Sequence, residues 1–240
     1  MAGARPYFVK AEMQSVDEEP KAEAALPSLQ KEIKVENLSF SYGEKEVLKG
    51  QNLTFQKGGK YAIVGRSGCG KTTLLKLLLG QLKGYEGKIL YDGKELSSYD
   101  VDSFYEQMAY IEQSIFLFDT SIRNNITLGD GVSAEKLEEI LAMSALKEEI
   151  KKFPDGLETK AGENGKNLSG GQKQRIAVAR ALAHDRQILF VDEGTSALDA
   201  ENAMVIEQAL LLCKNLTLIL ITHHMKEENL PLFDKVYRLG

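Results

Sequence analysis

Long apolar runs are what this chain of 240 residues most lacks. The longest, residues 216–221, falls far short of the roughly 20 residues that cross a bilayer, and residues 1–10 carry no apolar signal core, so no membrane span is expected. Basic excess is missing too. Lys and Arg number 30 against 35 Asp and Glu, for a net charge of −5 at pH 7. A general nucleic-acid binder needs a basic face to neutralise phosphates, so no nucleic-acid partner is expected. Cysteine is scarce: there are two, Cys69 inside a glycine-rich loop and Cys213 in an apolar run, which suits a reducing, cytosolic setting and not a disulfide framework. No internal repeat is visible, which excludes a tandem duplication of a site within the chain.

Apolar residues make up 43% of the sequence, enough for a core, and the length favours one domain with an inserted subdomain over two independent domains. Residues 1–30 hold three of the five prolines, Pro6, Pro20 and Pro27. With much Ala and Glu and no apolar period, they read as a linker or tail that buries little surface. From Lys31 alternation begins: Ile33 with Val35, then Phe40 with Tyr42, lie on matching sides of short strands, followed by a turn at Gly43 and a further strand over residues 47–55. Hairpin signals follow around Tyr91, Asp92 and Gly93. Between about residues 114 and 185 the chain turns helical, with Leu137, Ile140 and Leu141 as an apolar stripe and a last helix from about Gly171 to Ala183. Buried strands return at residues 188–191 and 216–221. The expected fold for residues 31–240 is therefore α/β, with a parallel-sheet core, an N-terminal antiparallel β-subdomain and an inserted α-helical subdomain.

Gly65, Arg66, Ser67, Gly68, Cys69, Gly70, Lys71 and Thr72 stand between an apolar strand at residues 61–64 and a helix-forming run at 74–79. Glycines after a strand let backbone N–H groups converge on phosphate oxygens, and the helix start adds the positive end of its dipole. Lys71 supplies a mobile cation, the Thr72 hydroxyl is placed to ligate magnesium, and Thr73 beside it completes the expected ATP-binding loop. This is a phosphate-binding loop on a P-loop NTPase core, and its expected ligands are ATP and Mg2+. Ile188, Leu189, Phe190 and Val191 run into Asp192 and Glu193, two carboxylates at the edge of a buried strand where such sheets bind ligands. Asp192 is placed to hold magnesium or its waters, and Glu193, pointing the other way, to orient or deprotonate the attacking water. Leu168, Ser169, Gly170, Gly171 and Gln172 open a further helix. Ser169 can cap it, the glycines admit a ligand to the backbone and the dipole favours an anion, although an ordinary capped helix reads the same way.

Taken together, and in this order, these motifs resemble the nucleotide-binding domain of ATP-binding cassette transporters from about Glu32 onward. The resemblance implies that Tyr42 stacks on adenine and that Gln113 reaches magnesium and the attacking water. It makes Leu168–Gln172 the family signature and His223 the switch residue that contacts the γ-phosphate. Ser196, Ala197, Leu198 and Asp199 match the loop after the acid pair. It further implies that the signature of one subunit closes over the triphosphate held by another, so that two cassettes sandwich two ATP molecules. One departure is Gly194, where alanine is usual; it loosens the backbone after Glu193 but removes no chemical group.

The branch expected is an exporter. Phe118, Asp119, Thr120, Ser121, Ile122, Arg123, Asn124, Asn125 and Ile126, with Gly162, Glu163, Asn164 and Gly165, are similar to exporter segments that meet the membrane subunit's coupling helices. In that branch the cassette commonly follows a six-helix membrane domain, and residues 1–30 resemble such a connecting segment, so an excised domain working at the cytoplasmic face of the membrane is expected. Two rivals stand beside it: a soluble non-transport cassette ATPase, which would carry a coiled coil or second cassette, and a nucleotide-gated interaction module without turnover, which would lack the acid or the switch residue.

Overall fold

Two sheets meet in the computed structural model, which describes residues 24–112, 114–192, 200–222, 225 and 227–240. In chain order the strands and α-helices are β1 (Glu32–Tyr42), β2 (Lys45–Gln56), β3 (Lys60–Gly65), α1 (Lys71–Leu78), β4 (Glu86–Tyr91), β5 (Lys94–Glu95), α2 (Phe104–Gln107), β6 (Met108–Ile111), α3 (Ile122–Thr127), α4 (Ala134–Met143), α5 (Lys147–Ile150), α6 (Gly170–Ala183), β7 (Ile188–Asp192), α7 (Ala200–Leu212), β8 (Thr217–Thr222) and β9 (Lys235–Leu239). An antiparallel sheet runs β2-β1-β4-β5 and a five-stranded sheet runs β6-β7-β8-β3-β9. Every pairing in the second sheet is parallel.

The central parallel strands β7 and β8 are apolar almost throughout because both faces are covered. In β7 and β8, Ile188, Phe190, Ile219 and Ile221 point into a core shared with α1 and the antiparallel sheet. Leu189, Val191, Leu218 and Leu220 point the other way, onto Ile206 and Leu210 of α7 and Val178 of α6. Tyr237 of β9 ties the sheets together: its hydroxyl accepts from the Thr54 N–H at 2.8 Å and donates to the Thr54 carbonyl at 2.6 Å. A third core, built from Leu117, Ile122, Ile126, Leu137, Ile140, Leu141, Leu168 and Ile176 among others, lies wholly between residues 117 and 183.

The alternation expected in β1 holds with one phase change. Ile33 and Val35 are buried, and so are Leu38 and Phe40, which sit on opposite parity. An extra residue makes this possible: between Val35 and Leu38 the chain advances three residues while β2 advances two, and β4 shows the same mismatch. Asn37, at φ 48°, occupies the bulge. Gly87 faces it across the ladder, where a Cβ would lie 2.4 Å from the Asn37 carbonyl oxygen.

The tail reading fails at its inner end. Leu26 and Leu29 are 2% and 0% exposed inside the first core. The Leu26 N–H donates to Ser103 Oγ, the Tyr91 hydroxyl donates to the Pro27 carbonyl, and Asp92 accepts from the N–H groups of Gln30, Lys31 and Glu32. Two leucines three apart, too few to show a period, are enough to seat a short segment when polar partners satisfy its backbone. Leu29→Ala is therefore expected to destabilise the fold by about 2–5 kcal/mol, read as a lowered midpoint in urea unfolding; an unchanged midpoint would return this segment to the tail.

Candidate active site

The phosphate loop starts where β3 ends, and its shape has two causes beyond ligand approach. At Gly65 a Cβ would stand 2.4 Å from the Leu239 carbonyl oxygen of β9 and 2.6 Å from Cys69 Sγ. At Gly70, which caps α1 at φ 98°, it would press on Leu48 at 2.8 Å. These glycines are required by the strands packed behind the loop. Gly68, at φ 78° with nothing within 4 Å of its Cβ position, is the one with open space above it. Arg66, Ser67 and Gly68 are exposed. Lys71 is 5% exposed, and its Nζ donates to the carbonyls of Gly65 and Arg66 at 2.9 and 3.0 Å.

Sheet register carries the acid to the same place. Val64 of β3 pairs with Thr222 of β8, and Ile221 pairs with Asp192 of β7, so three strands end within two residues of one another. Asp192 is 5% exposed, and its Oδ2 accepts from Thr72 Oγ1 at 2.8 Å. Tyr110 of β6 adds its hydroxyl to that oxygen at 3.4 Å. Burial, and then the charge of Asp192, push the phenol's pKa well up. Tyr42 leaves the end of β1 with 49% of its surface exposed, its ring edge-on to Phe40 at 4.9 Å.

The glycine pair of the signature opens α6, 14 residues long. Ser169 Oγ accepts from the Gln172 N–H at 3.2 Å and Gln172 Oε1 accepts from the Ser169 N–H at 2.9 Å, a capping box. Gln172 Nε2 reaches Glu149 Oε2 at 3.2 Å. Gln172, expected to meet nucleotide, is thus engaged in shaping the helix end, while Ser169 and Gly170 stay exposed. The structure brings Lys71, Thr72 and Asp192 together; the hydrogen bonds of Ser169 and Gln172 run within the cap and to Glu149, not to the phosphate loop. Gln113, Glu193, Asp199 and His223 lie outside the described residues, as do Gly194, Ser196, Ala197 and Leu198.

Two residues of consequence escaped the sequence reading. Tyr110 is one; its four-residue strand, Met108–Ile111, is too short to show a period. Arg180 is the other. Its guanidinium donates to the carbonyls of Asn125 and Phe116 at 2.7 and 3.1 Å and to Asn125 Oδ1 at 3.0 Å. Burial lowers its pKa to about 10, which leaves it charged at neutral pH. Asn125, fully buried, bonds the Phe118 N–H and carbonyl in turn, so one arginine on α6 fixes the segment between residues 116 and 125. Phe116 projects from it, 57% exposed.

A family model described as ABC transporter matches residues 48–196. The chain belongs to the ABC transporter family. It is 39% identical over 215 residues to multidrug resistance protein pgp-1 of Caenorhabditis elegans, covering 88% of this chain and 16% of that protein. It is 38% identical over 233 residues to the ATP-dependent lipid A-core flippase of Vibrio vulnificus, covering 94% of this chain and 39% of the relative. A solved structure of a bacterial Atm1-family ABC exporter with ATP bound superposes with a TM-score of 0.83 at 32% identity, over 90% of this chain and 38% of that one. The chain thus spans well under half the length of these relatives. As an ABC transporter domain it binds ATP, and the loop beside Thr72 and Asp192 is the candidate site for it.

Cys69 and Cys213 offer a test of that placement. Cys69 Sγ lies 4.0 Å from Lys71 Nζ, whereas Cys213 sits before β8 at the opposite edge of the sheet, its thiol pKa pushed up by burial. Labelling with iodoacetamide, followed by mass spectrometry, is expected to show ATP protecting Cys69 and not Cys213, with ATP affinity lost at least about tenfold once Cys69 is blocked. Full modification of Cys69 with unchanged ATP binding would show ATP binding away from this loop.

Proposed function

We propose that this chain is the ATP-hydrolysing domain of an exporter, and that it works head-to-tail with a second nucleotide-binding domain, identical or related. The observation that carries the reading is the 2.8 Å hydrogen bond from Thr72 to Asp192, which joins the phosphate loop to the acid-bearing strand. Magnesium fits this pair. A hydroxyl and a carboxylate are hard oxygen donors, and magnesium is commonly held by one or two carboxylates plus substrate phosphates. Among the described residues no cluster of three or more His, Cys, Asp or Glu offers a separate metal cage. Bound at Thr72 and Asp192, with Gln113 as a further ligand, the ion would offset charge developing on the phosphates.

The chain's own residues divide the remaining work. Backbone N–H groups from Arg66 to Thr73 receive the phosphates, Lys71 exchanges the loop carbonyls it holds for phosphate oxygens, and the exposed ring of Tyr42 receives the base. Glu193 orients or deprotonates the attacking water; His223 contacts the terminal phosphate. Ser169, Gly170 and Gly171, capped by Gln172 and joined by Asp199, grip the nucleotide of the facing cassette. A terminal phosphate held by two helix ends favours the closed pair, and hydrolysis removes the charge that both ends grip. The membrane domain, fused or separate, docks near Phe116, the 118–126 segment and residues 162–165, which puts the chain at the cytoplasmic face of the membrane.

Glu193→Gln removes only the water-activating group. ATP affinity is expected to hold within about twofold, turnover to fall about 10²- to 10⁴-fold, and an ATP-bound dimer to accumulate in size-exclusion chromatography with light scattering. Near-normal turnover would remove Glu193 from the mechanism; normal affinity without turnover in the wild type would favour the gated interaction module.

A further inference from the structure

Two hydroxyl donors converge on a single carboxylate oxygen at the end of β7. Thr72 Oγ1 stands 2.8 Å from Asp192 Oδ2 and the Tyr110 hydroxyl 3.4 Å from the same atom. They approach from different elements: Thr72 from the first turn of α1, Tyr110 from β6, which pairs in parallel with β7 through Tyr110 and Phe190. A carboxylate oxygen accepts both, and among the described residues no donor reaches Oδ1. Packing does not call for the phenol oxygen, since the Tyr110 ring lies against an apolar core that phenylalanine would fill equally well. A half-buried tyrosine hydroxyl that finds a charged acceptor restrains it.

We propose that Tyr110 is a positioning residue for Asp192. Its hydroxyl pins Oδ2 from the sheet side, so that the carboxylate keeps one orientation when Thr72 turns its lone pairs to a divalent cation. A carboxylate tethered at one oxygen by two groups has fewer orientations to lose when the cation arrives, so the cation binds more tightly. Tyr110 touches neither nucleotide nor metal and acts only through Asp192. The inference rests on the reading of Thr72 and Asp192 as a magnesium pair.

Tyr110→Phe removes one oxygen atom and keeps the ring. Manganese binding, followed by the loss of the free-ion electron paramagnetic resonance signal in the presence of a non-hydrolysable ATP analogue, is expected to weaken about three- to tenfold. Nucleotide affinity in EDTA and the melting temperature should stay at wild-type values. In steady-state hydrolysis the apparent KM for magnesium is expected to rise by the same factor while kcat at saturating magnesium holds, a split that a general loosening of the fold would not produce. Asp192→Asn serves as the reference and should abolish the manganese binding that exceeds that of free nucleotide. Wild-type manganese affinity in Tyr110→Phe, with Asp192→Asn defective, overturns the role of Tyr110 and leaves the magnesium pair standing. Wild-type affinity in Asp192→Asn overturns the pair, and the role of Tyr110 with it.

Discussion

Register in the parallel sheet is the constraint from which the rest follows. Pairing Val64 with Thr222 and Ile221 with Asp192 makes three strands stop at one line, and a parallel sheet covered on both faces has only its strand ends left for chemistry. The phosphate loop leaves that line from β3, and Asp192 reaches it from β7. A slip of one residue in β7 would turn Asp192 toward the opposite face and bury Val191 where the acid belongs. The hydrogen bond between Thr72 and Asp192 reports that the ladder is in register, because its two ends are 120 residues apart in sequence and meet only if the intervening strands stack correctly.

The helical insertion follows a different logic. Its buried core residues all come from residues 117–183, so most of its packing is its own. Its helix end is stiffened by a capping box and by the Glu149 contacts with Gln172 and Arg175. Arg180, half-buried, then binds the segment around Phe118 and Asn125 to α6, the helix that carries the signature at its other end. A surface proposed for a membrane partner and a surface proposed for the facing nucleotide are therefore attached to one rod of about 14 residues. A rigid helix is the simplest way for two such sites to move together.

Much of this was legible in residue order. The loop from Gly65 to Thr72, the apolar strand into Asp192 and the glycine pair after Ser169 are short motifs whose chemistry depends on spacing, and spacing survives in a bare sequence. The α/β arrangement was readable for the same reason: runs such as residues 188–191 and 216–221 can only be strands buried on both faces. What escaped was set by contacts at long range. Leu26 and Leu29 sit in a proline-broken stretch whose composition resembles a tail, and only the seat offered by Tyr91, Asp92 and Ser103 explains their burial. Tyr110 lies on a strand too short to register. Gly65 and Gly70 were attributed to phosphate alone, whereas Leu239 and Leu48 also forbid a side chain there.

The bulge at Asn37 acts as a counter. Before it, odd-numbered residues of β1 face inward; after it, even-numbered ones do. Tyr42 inherits its side of the sheet from that single change, through Phe40, whose ring it meets edge-on. Deleting one residue near position 37 would leave the composition almost untouched and yet send the aromatic platform to the far side. The ring proposed to receive the base would then be missing from the site, even though the loop from Gly65 to Thr72 stayed where it was. The base contact proposed for Tyr42 is in this sense an odd-or-even decision, taken five residues upstream at the bulge.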